Sequence, residues 1–121
     1  MTQAERDLGV ARAMEKDATY EWACFAAQQA AEKALKAAHY SHLRSVRGHS
    51  VLQLVRAFSD APPELLEKAR VLDGYYIPTR YVNGHPEGAP FEYYGAPQSE
   101  QAIAYAESIL EFARRNMAVS R

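Results

Sequence analysis

Two stretches of the chain set an arginine five positions before a histidine: Arg44-Ser45-Val46-Arg47-Gly48-His49 and Arg80-Tyr81-Val82-Asn83-Gly84-His85. Arginine offers a rigid, permanently charged fork that matches a phosphate, and histidine exchanges a proton near neutral pH. Together they are the smallest equipment for metal-free cleavage of RNA, in which the neighbouring 2′-hydroxyl is the nucleophile. On a straight helix this separation would turn the two side chains about 140° apart, but each stretch contains a glycine and neither reads as helical. A second reading stays open for the later stretch: Arg80 caps carbonyl oxygens, and His85 is a turn residue beside Asn83-Gly84.

The remaining candidates are fewer. His39 and His42, at the end of a long helical segment and in the basic connection after it, are expected on the solvated surface. No histidine or carboxylate pair has metal-ligand spacing on a helix, and neither a Gly-rich phosphate loop nor a Gly-x-Ser-x-Gly elbow is present. No metal and no cofactor are therefore expected. The one cysteine, Cys24, lies in an apolar helical stretch and reads as a small core residue, which excludes a disulfide framework.

The elements that must position these residues read as helices. A first helix is expected from about Ala4 to Lys16, with Leu8, Ala11 and Met14 on one face, and Asp17 and Thr19 as caps before the next. The second, from about Tyr20 to Tyr40, has no Gly or Pro and is rich in alanine, the strongest helix former. Its wide apolar surface, with Trp22, Phe25, Ala27, Ala31 and Leu35, predicts packing on more than one side. Gln29, Glu32, Lys33 and Lys36 form a polar stripe. A short helix from about Ser50 to Phe58 should turn Val51, Leu54, Val55 and Phe58 inward. Asp60 to Pro63 breaks the chain and starts a fourth helix whose spacing runs through Leu65, Ala69, Leu72 and Tyr76 toward Pro78. A last helix is expected from about Ser99 to Met117. No segment alternates as a strand would, so the prediction is an all-α antiparallel bundle of about five helices in a single domain spanning 1–121.

Between the last two helices lies a long loop holding four of the six prolines between Pro78 and Pro97, together with Tyr81, Phe91, Tyr93 and Tyr94. Connections of this length are commonly functional, and its aromatic content argues for a folded loop over the bundle. Lys plus Arg (14) nearly balance Asp plus Glu (15). Nucleic-acid binding through bulk charge is thereby excluded, and any such contact must be local or assembled across subunits. The charged N-terminus carries no apolar targeting core, and no run is long and apolar enough for a membrane span. The expectation is a cytoplasmic protein with no membrane contact.

Four ordered landmarks resemble one known family. The segment Trp22-Ala-Cys-Phe25-Ala-Ala-Gln28-Gln29-Ala-Ala-Glu32-Lys33-Ala-Leu35-Lys36 is similar to the signature helix of the HEPN domain. Gly48-His49-Ser50-Val-Leu52-Gln-Leu54, Tyr75-Tyr76-Ile-Pro-Thr79-Arg80-Tyr81 and Ala102-Ile-Ala-Tyr-Ala106-Glu107-Ser-Ile109-Leu110 follow in the family's order. The resemblance implies a helical bundle that forms a homodimer or higher homo-oligomer. It also implies partnership with a small nucleotidyltransferase-fold protein, often as the two halves of a toxin–antitoxin pair. By the same resemblance, a nucleotide or phosphate would be bound around Arg80, with Tyr76 and Tyr81 beside it. The alternative it implies is a metal-independent endoribonuclease, with a composite Arg/His site across the dimer. Arg80 and His85 take those roles here, with His49 as a further proton-transfer candidate and Arg44 as its arginine.

Overall fold

The computed structural model describes residues 1–76 and 94–119. Five α-helices and no strands occur among them: α1 (Thr2–Lys16), α2 (Tyr20–Ser41), α3 (Val51–Arg56), α4 (Pro63–Asp73) and α5 (Ala96–Arg115). The expected all-α bundle of five helices is what forms.

The alanine run sets the architecture. Ala23, Ala27, Ala30, Ala31, Ala34 and Ala38 of α2 are all fully buried. Side chains this small let neighbouring backbones approach closely, and α2 accordingly touches every other helix, α1 and α5 most extensively. Leu8 of α1, Leu54 and Val55 of α3, Leu65 and Leu72 of α4, and Ile109 and Leu110 of α5 close over it in one apolar core. Cys24 is fully buried in that core. Burial first, then the negative charges of Glu15 and Glu21, push its thiol up to about 12, so the reading of an inert core residue holds.

The helix ends follow from local chemistry. Ser50 caps α3 by accepting the Gln53 N–H at 3.1 Å, and Pro63 fits the first turn of α4. Helix α4 stops at Asp73 instead of running on to Pro78. Tyr75 and Tyr76 already lie beyond it, with Gly74 as its C-cap. Two non-glycine residues adopt left-handed backbone, Ala18 between α1 and α2 and Leu43 after α2, each with φ of 60°. Thr19 does not cap α2 with its hydroxyl, which donates to the Met14 carbonyl at 3.0 Å.

A further expectation is corrected. His39 is fully buried, not a surface residue. Its Nδ1 accepts from Arg44 Nε at 3.0 Å, which leaves Nε2 to donate to the Leu54 carbonyl at 2.9 Å. Its ring stacks on Phe58 at 4.1 Å, and the Arg44 guanidinium lies 5.0 Å from the centre of the same phenyl ring. The helix end that looked exposed in sequence is covered by α3. Glu32 of the polar stripe is only 5% exposed, because the chain leading into α3 closes over that side of α2.

Candidate functional site

The buried polar side of α2 is the foundation of the site. Gln28 is fully buried. Its side-chain amide donates to the His49 carbonyl at 3.0 Å and to Glu32 Oε1 at 3.3 Å. Gln29 donates in turn to Gln28 Oε1 at 2.7 Å. Lys36 Nζ donates to Glu32 Oε2 at 3.0 Å, one helical turn on. A buried charge is tolerated only when paired and hydrogen-bonded, and His49 supplies the last contact: its Nδ1 lies 3.2 Å from both carboxylate oxygens of Glu32.

His49 is therefore fastened at its backbone and at one ring nitrogen, while its side chain remains more than half exposed. Gly48 before it has φ of +93°, a conformation that glycine adopts without strain and that turns the chain onto α2. The imidazole stacks on the Tyr76 ring, centroids 4.6 Å apart and planes inclined by 15°. From Tyr76 an aromatic row continues along α2 to Phe25, 6.5 Å away, and from Phe25 to Trp22, 6.1 Å away.

A second anchor holds the stack from the far side. Asp73, the last residue of α4, accepts from Ser50 Oγ at 2.8 Å, from the Val51 N–H at 2.6 Å and from the Leu52 N–H at 3.3 Å. Its carboxylate thus fills the N-terminus of α3, where free N–H groups would otherwise attract an external anion. His49, Ser50, Asp73 and Tyr76 together line a shallow, open cavity of about 220 Å³. A larger cavity of about 540 Å³ lies among α1, α4 and α5. Its charges are largely answered from within, Arg12 by Glu107 at 3.2 Å and Arg114 by Glu111 at 3.5 Å.

The two sequence candidates fare differently. Arg44 and His49 turn to different partners, Arg44 to His39 and Phe58, His49 to Glu32 and Tyr76, so Arg44 serves the core. Tyr76 and His49 are brought face to face. Arg80, Tyr81 and His85 lie outside the described residues. Sequence reasoning missed Gln28, Glu32 and Asp73 as parts of the site. The available signal was the spacing of Gln28, Glu32 and Lys36 at four-residue steps inside an alanine-rich helix, which sets all three on one side of it. Among the described residues, no group of three or more His, Cys, Asp or Glu is placed to hold a metal ion, and no helix is long and apolar enough to cross a membrane.

The protein is thus a helical bundle built on an alanine-rich central helix, with a Gln-Glu-Lys row backing an exposed histidine. The HEPN domain family matches residues 1–116, and the chain belongs to that family. It is similar to TT1696 from Thermus thermophilus, whose crystal structure shares 42% sequence identity with a TM-score of 0.89, covering 95% of this chain and 93% of that one. An archaeal HEPN homologue, ST0689, is 38% identical with a TM-score of 0.83, over 97% of this chain and 93% of that one. A HEPN domain protein from Thermotoga maritima is 32% identical with a TM-score of 0.75, over 95% and 93%. No curated protein matches the chain.

Proposed function

We propose that this HEPN protein handles nucleotide or RNA, binding a phosphate-bearing ligand where His49 and Tyr76 face the shallow cavity and Arg80 follows four positions after Tyr76 in the chain. The observation that carries the reading is the His49–Tyr76 stack: an exposed imidazole fixed from behind by Glu32, against a phenol ring on which a base can stack. Tyr81 and Arg80, in this reading, also bind the ligand, Arg80 as the fork that grips phosphate. In this reading the chain works as a homodimer or higher homo-oligomer beside a nucleotidyltransferase-fold protein, in a toxin–antitoxin-type pair within the cytoplasm.

A second reading, metal-independent cleavage of RNA, is favoured by the Glu32–His49 contact, since a carboxylate behind an imidazole suits it to moving protons. Here Arg80 holds the phosphate, and His85 or His49 exchanges the proton, in a composite site across the homodimer.

Calorimetric titration with adenosine 5′-monophosphate and a short RNA, repeated on His49→Ala and Arg80→Ala, tests the first reading. Both variants should lose at least about tenfold in affinity; wild-type affinity in both removes it. Incubating RNA with the protein in chelator, with and without Arg80→Ala and His85→Ala, separates cleavage from binding. Stable co-purification with a co-expressed nucleotidyltransferase-fold protein tests the partnership.

A further inference from the structure

We propose that Glu32 is a positioning residue of the ligand site: its buried carboxylate holds the Nδ1 hydrogen of His49, so that the neutral imidazole turns a bare Nε2 to the ligand. This rests on the reading of His49 as a ligand-contacting group, and it names the residue through which His49 acts.

The geometry carries it in three steps. An ionised carboxylate can only accept, so a ring nitrogen 3.2 Å from both Glu32 oxygens must be the one that bears hydrogen. Glu32 cannot turn away from this duty. Gln28 donates to its Oε1 and Lys36 to its Oε2, and at 5% exposure it has no water into which to swing. His49 cannot drift from it either, because the same Gln28 amide that touches Glu32 also donates to the His49 carbonyl. One face of the ring is covered by Tyr76. Orientation, tautomer and backbone position of His49 are thus all set from α2. A neutral Nε2 without hydrogen accepts from a ribose hydroxyl or from a protonated phosphate, and once protonated it donates to a phosphate oxygen. With the tautomers exchanged, Nε2 would carry the hydrogen and could donate to a phosphate oxygen, but it could not accept from a hydroxyl.

Nitrogen-15 spectra of the His49 imidazole, recorded well above the ordinary histidine titration range, read the tautomer directly. The expected result is hydrogen on Nδ1 in the wild type; hydrogen on Nε2 overturns the proposal. Glu32→Met keeps the volume but removes the acceptor. It should abolish the Nδ1 bias and weaken adenosine 5′-monophosphate binding about tenfold, the value of one good hydrogen bond. Glu32→Gln retains an acceptor oxygen in the same place, so it should keep the tautomer and most of the affinity, and it serves if Glu32→Met does not fold. Equal losses of affinity in Glu32→Gln and Glu32→Met, with the tautomer kept in the former, would show that charge and not positioning matters. His49→Ala separates the two levels. Wild-type affinity in His49→Ala removes His49 from the ligand site, and with it the role of Glu32. A loss of affinity there, with none in Glu32→Met, removes only the role of Glu32.

Discussion

Ser50 and Asp73, 23 positions apart in the chain, share a side-chain hydrogen bond of 2.8 Å that ties the start of α3 to the end of α4. His49 immediately precedes one of these residues and Tyr76 follows three positions after the other, so this bond brackets the stack between them. Each residue also serves the N-terminus of α3, Ser50 by accepting from Gln53 and Asp73 by accepting from Val51.

Asp73→Asn should therefore cost more than an ordinary surface change. An amide at this position turns a donor toward backbone N–H groups and loses the charge-assisted bonds, an expected destabilisation of about 1.5–3 kcal/mol. Urea unfolding should show a lower midpoint at unchanged slope. The ring-current shift of Tyr76 on the His49 protons should fall with it. A wild-type midpoint would mean that the clamp does not hold the bracket.

His39→Ala removes a fully buried ring stacked on Phe58 and leaves the Arg44 Nε and Leu54 carbonyl without their partner. Lost packing and unmade hydrogen bonds together should lower stability by about 2–4 kcal/mol. The measurement is again the urea midpoint, and a change of less than about 1 kcal/mol would contradict a structural role.

Leu43→Gly should stabilise the fold by about 0.5–1 kcal/mol. Leu43 holds φ of 60° just past the end of α2, and its side chain is 95% exposed, so glycine relieves strain without giving up burial. Thermal unfolding that shows a lower midpoint in the variant would count against this account of the turn.

Stability should fall as the solution becomes alkaline. The thiol of Cys24 is raised from 9.0 to about 12, so the fold favours its neutral form. For a group raised in this sense, the contribution is complete below the unfolded value near 9 and disappears as pH climbs toward 12. Burial shifts the Tyr75 phenol in the same direction. Cys24→Ala should flatten the decline above pH 9 and leave the part due to Tyr75; an equally steep decline in the variant would exclude the thiol as a cause.

The helices were legible because their periodicity is local: the apolar steps of α2 and α5, and the prolines that open α4, need no knowledge of the rest of the chain. The interior polar residues were not legible in the same way. Glu32 and Lys36 at four-residue spacing look like any solvated pair, and only the chain before α3 lying across them makes Glu32 buried. His39 was misplaced for the same reason, since what covers it comes from Arg44, Leu54 and Phe58, not from its own helix. Tyr76 and His49 were each singled out in sequence, yet their contact depends on Asp73, whose role appears only when α4 is laid beside α3. Arg80, Tyr81 and His85, the residues named first from the sequence, lie outside the described part of the chain.

The alanines of α2 have a consequence for how the site can move. A helix whose packed side is rich in alanine methyl groups has its neighbours' backbones close against it, and a slide or rotation would bring main chain against main chain. Glu32 and Gln28 ride on that helix, so the support behind His49 is rigid. Ser50, Asp73 and Tyr76 stand on the α3–α4 side, whose Leu54, Val55, Leu65 and Leu72 are packed into the same apolar core. Both sides of the cavity therefore rest on one packed core, and the imidazole is held between them.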